Sequence, residues 1–283
     1  MPQFVPLFFV TLCLTVVQPL AAQLPWRTGH WNPDSLGNHR VVVHVGVPAK
    51  AVRVHIPWRR PDQHPESVEI IAIGPAGNRI ANIYRRSITR EAGDLAFQPV
   101  DGAGDYYLYY LPYRGSITSN YPRIFYPAPT VTADSTWQAS TVAHWASLPR
   151  ATVVAMESID DFNSFSPMQV IATQAETQAL VKKAGNAPFM LFAEDRTHPV
   201  RMRSDLPQRW IAGGAGGTVT GEAHRGEWFA FQVVVYASKQ PLDSVTASFS
   251  ALRALRALRA LCALMRPPRP GTRAPHRTPR RCR

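Results

Sequence analysis

Cysteine is absent from the body of this chain. The three cysteines are Cys13, Cys262 and Cys282, so none lies between Gln23 and Ser250. Disulfide bonds and thiolate metal sites are therefore excluded from that region, and its stability must come from the burial of apolar side chains. Hydrophobic residues make up 45% of the chain and charged residues 18%, which is enough to build a folded core.

Acidic residues are absent from the last part of the chain. Residues 251–283 contain ten arginines and no aspartate, glutamate or lysine, which accounts for ten of the twelve net positive charges and leaves +2 for the rest. A nucleic-acid-binding domain is expected to spread its basic residues over a folded surface. The nearly neutral body therefore argues against nucleic acid as a partner.

The apolar residues of the same basic segment do not recur at the spacing that gives a helix one apolar face. Its Ala-Leu-Arg triplets, which begin at Ala251, would carry leucine and arginine around every side of a helix, because a helix has 3.6 residues per turn. We interpret residues 251–283 as an aberrant, disordered tail that arose from a frameshifted or mis-assembled reading of GC-rich coding sequence. A genuine basic tail is the alternative.

A long apolar run occurs once, at residues 4–20, and is followed by Ala21-Ala22-Gln23. This pattern predicts a signal peptide over residues 1–22 and a secreted or periplasmic protein. The first residues lack lysine and arginine, so an uncleaved membrane anchor and a mis-set start codon are the alternatives. No other segment has the length and apolarity of a bilayer span, so none is expected after cleavage.

Short runs of alternating residues separated by turns fill the first part of the mature chain. Val41, Val43, Val45 and Val47 share one face of a predicted strand, and similar runs occupy residues 52–56 and 105–111. Such a succession is typical of a β-sandwich or barrel. We predict an antiparallel β-sandwich domain over residues 23–130.

Residues 131–188 read as a mixed helical connector. Thr132 or Asp134 is placed to cap a short helix, and residues 151–156 form a strand-like run. The clearest helix follows Thr173-Gln174-Ala175-Glu176, which fits a capping box, and Gly185 is placed to end it.

A second, incomplete β-sandwich domain is predicted over residues 189–250. Its expected strands are residues 189–192, 218–222, 228–236 and 245–249, and the last of them has no visible partner. The Gly213–Gly217 stretch leads into a strand and lacks a Lys-Ser/Thr pair, so we interpret it as a loop and not as a phosphate site. The predicted fold class is mainly β, with two sandwich domains joined by a short α/β connector.

Two pairs of adjacent carboxylates are candidates for catalysis, because two nearby carboxyl groups can act as a general acid and a general base. Asp160-Asp161 lies in a polar turn and is expected to cap backbone amides. Glu194-Asp195 precedes Arg196 and is interpreted as a turn ion pair. We assign no catalytic residue.

No metal or cofactor site is predicted. His39, His44 and His55 are the histidines that invite a metal interpretation, but His44 and His55 fall on separate strands and no carboxylate joins them at ligand spacing.

Aromatic residues are concentrated in one predicted strand. Tyr106, Leu108 and Tyr110 face one way and Tyr107, Tyr109 and Leu111 the other. Core and domain packing is the favoured role. If one set is exposed, Tyr107, Tyr109 and Trp58 are the candidates for stacking on sugar rings.

The order of several segments along the chain resembles that in glycoside hydrolase family 123-like proteins. These segments are Gly37-Asn38-His39-Arg40, His55-Ile56-Pro57-Trp58-Arg59-Arg60, the tyrosine strand, Phe165-Ser166-Pro167-Met168 and the run from Gly221 to Tyr236. The resemblance is to the N-terminal β region of that family, and it identifies residues 189–250 with the family's N-terminal β domain.

The resemblance implies a role in carbohydrate processing. Characterised members of the family cleave β-N-acetylgalactosaminides with the substrate's own acetamide, on a catalytic barrel that follows the β region. No position here corresponds to the family's working Asp-Glu pair, so this chain alone is expected to be inactive. The expected partners are glycans and a missing downstream barrel. A non-catalytic carbohydrate-binding or surface-adhesion module is the alternative.

Overall fold

The alternating valines form the middle of a five-stranded sheet in the computed structural model, which describes residues 24–116, 120–121 and 123–248. The predicted signal peptide and the tail after residue 250 lie outside the described residues. The strands are β1 (Trp26–Thr28), β2 (His39–Val45), β3 (Val52–Ile56), β4 (Ile71–Ile73), β5 (Ile83–Ile88), β6 (Gly93–Phe97), β7 (Gly104–Tyr109), β8 (Arg114–Ser116), β9 (Arg123–Phe125), β10 (Thr152–Ser158), β11 (Phe189–Asp195) and β12 (Phe231–Ala237). The α-helices are α1 (Ser135–Ala143), α2 (Gln174–Lys183) and α3 (Gln208–Gly213).

The larger sheet has the strand order β1-β10-β2-β7-β4. Its neighbours are antiparallel except for β1 and β10, which run parallel. Val41 and Val43 of β2 lie opposite Leu108 and Tyr106 of β7, and all four side chains are buried. The alternation predicted for β2 is confirmed for Val41, Val43 and Val45, whose side chains form one layer of the core. The prediction is wrong for Val47, which follows the end of the strand and is 67% exposed.

A three-stranded sheet in the order β3-β6-β5 supplies the other side of the same core. Val52, Val54 and Ile56 of β3 point inward, whereas Arg53 and His55 lie on the outer face. Leu95 and Phe97 of β6 join the same apolar cluster as the inward side chains of β2 and β7. Two sheets that share one core in this way confirm the mainly β prediction.

Strand β10 is part of the first sandwich, although it lies within residues 131–188, which the sequence predicts to be a connector. The strand-like run at residues 151–156 does form a strand, but it pairs between β1 and β2, with Met156 opposite Val41. Met156 and Ala155 are almost fully buried there. The pairing joins residues more than a hundred positions apart, and a local pattern carries no information about such a partner.

The two longer helices begin where the sequence predicts. The Asp134 carboxylate accepts a hydrogen bond from the Trp137 amide at the start of α1. Thr173 Oγ1 accepts from the Glu176 amide, and the Glu176 carboxylate accepts from the Thr173 amide, which completes the capping box of α2. Gly185, with φ of +64°, follows the end of α2.

The region after residue 188 differs from the prediction. Of its four expected strands, only β11 and β12 form, and they pair antiparallel with Leu191 opposite Val235. Residues 218–222 and 245–248 are irregular, and Phe249 lies outside the described residues. Gly214, Gly216 and Gly217 adopt positive φ, and the Gly216 amide bonds the Leu191 carbonyl, so the chain meets β11 at one bridge instead of along a strand.

Helix α3 was not expected from the sequence. Its N-cap position is Pro207, no side chain caps it, and it has only six residues, so the local start signals are weak. Trp210 of α3 stacks on Phe192 of β11, with ring centroids 4.5 Å apart. This contact anchors a second apolar cluster that includes Met168, Leu180 and Met190.

Arg59 ties the first sandwich to α2. Its guanidinium donates two hydrogen bonds to Glu176, of 2.7 and 2.9 Å, so one carboxylate serves both the capping box and the inter-element ion pair. Burial disfavours the charged form of Glu176, but the hydrogen bonds from Arg59 and Thr173 outweigh it and place the pKa of Glu176 below its ordinary value.

We predict that Glu176→Gln lowers the free energy of unfolding at pH 7 by about 1–2 kcal/mol, because the neutral amide weakens a charge-assisted pair. Since the pKa of the folded state lies below that of the unfolded state, this stabilisation is present above about pH 4.3 and is lost as the pH falls through the folded-state pKa. Urea unfolding at pH 7 and pH 3 measures both values. The exposed Glu222→Gln is the control. An equal difference between wild type and Glu176→Gln at both pH values would contradict the prediction.

We predict that Trp58→Ala lowers the free energy of unfolding by about 3–5 kcal/mol, because a large side chain leaves a cavity in a core that cannot fully close. Trp58 is 2% exposed, whereas Trp228 is 96% exposed, so Trp228→Ala is the matched control and is expected to change little. Urea-induced unfolding followed by circular dichroism measures both. Equal effects of the two substitutions would show that Trp58 is not a core residue.

Candidate functional site

The aromatic residues proposed for sugar stacking do not form an open platform. Trp58 is 2% exposed, its indole nitrogen donates to the Thr89 carbonyl at 2.8 Å, and its ring covers Gly93 so closely that a Cβ there would lie 2.4 Å from it. Tyr109 is 3% exposed and its hydroxyl accepts from Arg40. Both are packing residues in this fold.

Tyr107 is half-buried, and the Arg40 guanidinium lies over its ring at 4.0 Å from the centroid. The same guanidinium lies 4.4 Å from the Trp31 ring centroid and is paired with Glu157 at 2.7 Å. A cation–π contact therefore already occupies a face of Tyr107. The opposite side of β7, with Tyr106 and Leu108, is buried in the core, so both sides of this strand are used for packing.

The turn formed by the first acidic pair has the geometry expected from the sequence. Asp160 accepts hydrogen bonds from the backbone and side-chain nitrogens of Asn163, at 2.8 and 2.7 Å. Asp161 accepts from Thr28 Oγ1 at 2.6 Å. Both carboxylates are thus held by neighbouring groups that connect the end of β10 to β1 and to the following loop.

The second acidic pair is arranged differently from the expected turn ion pair. Glu194 is 5% exposed and accepts hydrogen bonds from Arg209 Nε at 3.0 Å and from Trp210 Nε1 at 2.8 Å. Arg196 pairs instead with Glu227. The expectation of an ion pair with Arg196 is therefore wrong, because α3 brings a guanidinium and an indole onto the end of β11.

Asp195 organises the turn after β11. Its Oδ1 accepts hydrogen bonds from the Thr197 hydroxyl and amide and from His198 Nδ1, at 2.5, 2.7 and 3.1 Å. The Thr197 hydroxyl and then His198 lower the pKa of Asp195 to about 2. The aspartate consequently stays ionised through the physiological range and fixes the neighbouring histidine.

Glu194, Asp195 and His198 bring three potential metal-ligand atoms within 4.8 Å of one another, and the two carboxylates line a cavity of about 460 Å³. This group is not among the sites predicted from the sequence, although the Glu-Asp-x-x-His spacing is present there. Glu194 and Asp195 already accept hydrogen bonds from Arg209, Trp210 and Thr197. The Arg209 cation also offsets part of the negative charge that a metal ion would need. The arrangement is a hydrogen-bonded network that links β11 to α3.

The three histidines considered for metal binding lie apart. His44 of β2 bonds Asp105 at 2.7 Å and His55 of β3 bonds Asp94 at 2.9 Å, each across a strand pair. Each histidine thus has its own aspartate, and the two pairs lie on different sheets and contribute only two groups each. His39 stacks on Phe165 at 4.3 Å, and burial lowers its pKa.

A cavity of about 620 Å³ opens beside β3, on the outer side of the three-stranded sheet. Arg53, His55 and Asp94 come from that sheet, Trp145 from the turn after α1, and Arg150 from the segment that leads into β10. The ring of Trp145 is partly exposed and packs edge-on against Tyr84 at 6.1 Å. These residues are not predicted from the sequence as a group, because segments distant in the chain supply them.

Comparison with protein families supports the resemblance stated from the sequence. Residues 29–159 match the family model described as "Glycoside hydrolase 123, N-terminal domain". No curated protein and no solved structure shows a significant match to the chain. The matched range contains strands β2 to β10 and the cavity residues Arg53, Trp145 and Arg150, and it does not include residues 189–250. The domain boundaries drawn from the sequence stay predictions. Residues 29–159, which contain most of the sandwich, are therefore identified as a domain of the glycoside hydrolase 123 N-terminal type.

Proposed function

We propose that this chain is the secreted, non-catalytic β region of a glycoside hydrolase 123-related protein, and that it supports a catalytic barrel that acts on N-acetylgalactosaminides. The match over residues 29–159 is the observation that carries the proposal. In the family, the β region precedes the barrel, so an accessory role is the simplest function for the sandwich.

The described residues favour a supporting role over catalysis. A (β/α)₈ barrel needs eight parallel strands and roughly 250 residues. In the described part of the chain, the strand pairs are antiparallel except for β1 with β10. The two acidic pairs, Asp160-Asp161 and Glu194-Asp195, are held in hydrogen bonds that shape turns and strand ends.

The purified chain is expected to release no nitrophenol from p-nitrophenyl β-N-acetylgalactosaminide above the rate in buffer. The physical reason is that its carboxylates are engaged by neighbouring groups and are not arranged across a substrate bond. An active β-N-acetylgalactosaminidase in the same assay is the positive control. Turnover that co-elutes with the folded chain and is lost on heat unfolding would contradict the proposed non-catalytic role.

Secretion is the second part of the proposal, and it rests on the apolar segment at residues 4–20. Among the described residues, no helix has the length and apolarity needed to cross a membrane. Expression of the full chain in a bacterial host is expected to yield a periplasmic protein whose first residue is Gln23, as read by N-terminal sequencing. Leu14→Arg, which interrupts the apolar run, is expected to keep the protein unprocessed in the cytoplasm. An intact Met1 terminus on exported protein would contradict the cleavage.

A further inference from the structure

The cavity beside Trp145 arises where two sheets separate. The Arg53 amide donates to the Pro149 carbonyl and the Ala151 amide donates to the Arg53 carbonyl, both at 2.9 Å, so residues 149–151 extend the edge of β3. The chain then leaves β3 and joins β2 in the other sheet as β10. Because the pairing ends at Ala151, the second half of β3 and the start of β10 diverge. The resulting wedge contains the 620 Å³ cavity.

Positive charge is in excess around this wedge. Arg53 and Arg150 line it, and Arg86 lies over the Trp145 ring at 4.7 Å from the centroid. Within the described ranges, none of these three arginines has an ion pair with a carboxylate; Arg53 donates to the Ala146 carbonyl. Asp94 is the acidic residue of the lining, and it is bonded to His55. The local field therefore favours an anion.

The cavity also offers an aromatic wall. Tyr84 packs edge-on against Trp145 and Arg86 lies over its ring, but Arg86 does not line the cavity whereas Trp145 does, so part of the ring still faces the cavity. Arg53 lies 6.0 Å from the Trp145 ring centroid. An indole held beside two guanidinium groups suits a ligand with an apolar ring surface and a carboxylate, since arginine binds carboxylates through two parallel hydrogen bonds. Sites of roughly 300–1,000 Å³ accommodate small organic ligands, and this volume exceeds what a free inorganic anion would fill.

We propose that this cavity binds an acidic saccharide, with a uronate carboxylate at Arg53 and Arg150 and a pyranose ring against Trp145. The saccharide class rests on the proposed function, because the cavity lies in the domain that matches a glycoside hydrolase family. The acidic character rests on the unpaired arginines alone. Arg150 is the most informative residue, because it is exposed and its side chain has no hydrogen-bond partner among the described residues.

Isothermal titration calorimetry on the full chain, at low salt, tests the inference with three probes. These are a tetrasaccharide of alternating glucuronate and N-acetylgalactosamine, its methyl-esterified neutral form, and inorganic sulfate. The acidic tetrasaccharide is expected to bind, and Arg150→Gln is expected to weaken it about tenfold, as the loss of one charge-assisted contact implies. The exposed Arg201→Gln lies outside the cavity and is expected to leave binding unchanged.

The outcomes separate this inference from the proposed function. Binding that is equal for the acidic and esterified tetrasaccharides, or equal in wild type and Arg150→Gln, would overturn the acidic-saccharide site. Sulfate that binds at Arg150 as tightly as the tetrasaccharide would replace it with a simple anion site. Absence of binding to all three probes would also overturn it, while the proposed accessory role would still be judged by the hydrolysis assay.

Trp145→Phe keeps an aromatic wall and is expected to retain more binding than Trp145→Ala, and circular dichroism checks that both are folded.

Discussion

The antiparallel pairing of β10 with β2 is the constraint on which the sandwich depends. It places a strand from residues 152–158 between β1 and β2 and buries Met156 against the valine face. It also draws the preceding segment along the edge of β3, because residues 149–151 must cross from one sheet to the other. The position of Trp145 over the outer face of the smaller sheet, and the wedge beside it, both follow from that crossing.

Arginine determines how the aromatic residues of this domain are used. Arg40 lies against Trp31 and Tyr107 and is neutralised by Glu157, so the outward side of the tyrosine strand becomes a packed layer. Arg60 is fully buried between the rings of Trp58 and Tyr110 and is paired with Asp62. A buried guanidinium is tolerated when a carboxylate balances its charge and aromatic faces surround it. Burial in the same place raises the pKa of the Tyr110 hydroxyl.

Local signals were predictable from the sequence, whereas partners distant in the chain were not. The valine alternation of β2 and the capping box at Thr173 depend on residues within a few positions of each other, and both were identified correctly. The burial of Trp58 depends on its contacts with Gly93 and Thr89, which lie more than thirty positions away. The hydrogen bond that Arg209 donates to Glu194 depends on the position of α3. The cavity was missed for the same reason, since Arg53 and Trp145 are brought together only by the sheet crossing.

Net charge is a poor guide to the binding properties of this protein, because charge balance is a local quantity. Apart from the arginine-rich residues 251–283, the chain has a formal charge of only +2, which argues against a broad basic surface. Many of its arginines are neutralised where they stand, as Arg59 is by Glu176 and Arg90 by Asp205. Around Trp145 the arginines have no such partners in the described structure, so a small number of uncompensated cations faces one cavity. At physiological ionic strength, salt screens the electric field of these arginines beyond about 8 Å, so the field acts mainly on a ligand inside the wedge. A nearly neutral domain can therefore still select an anion at this cavity.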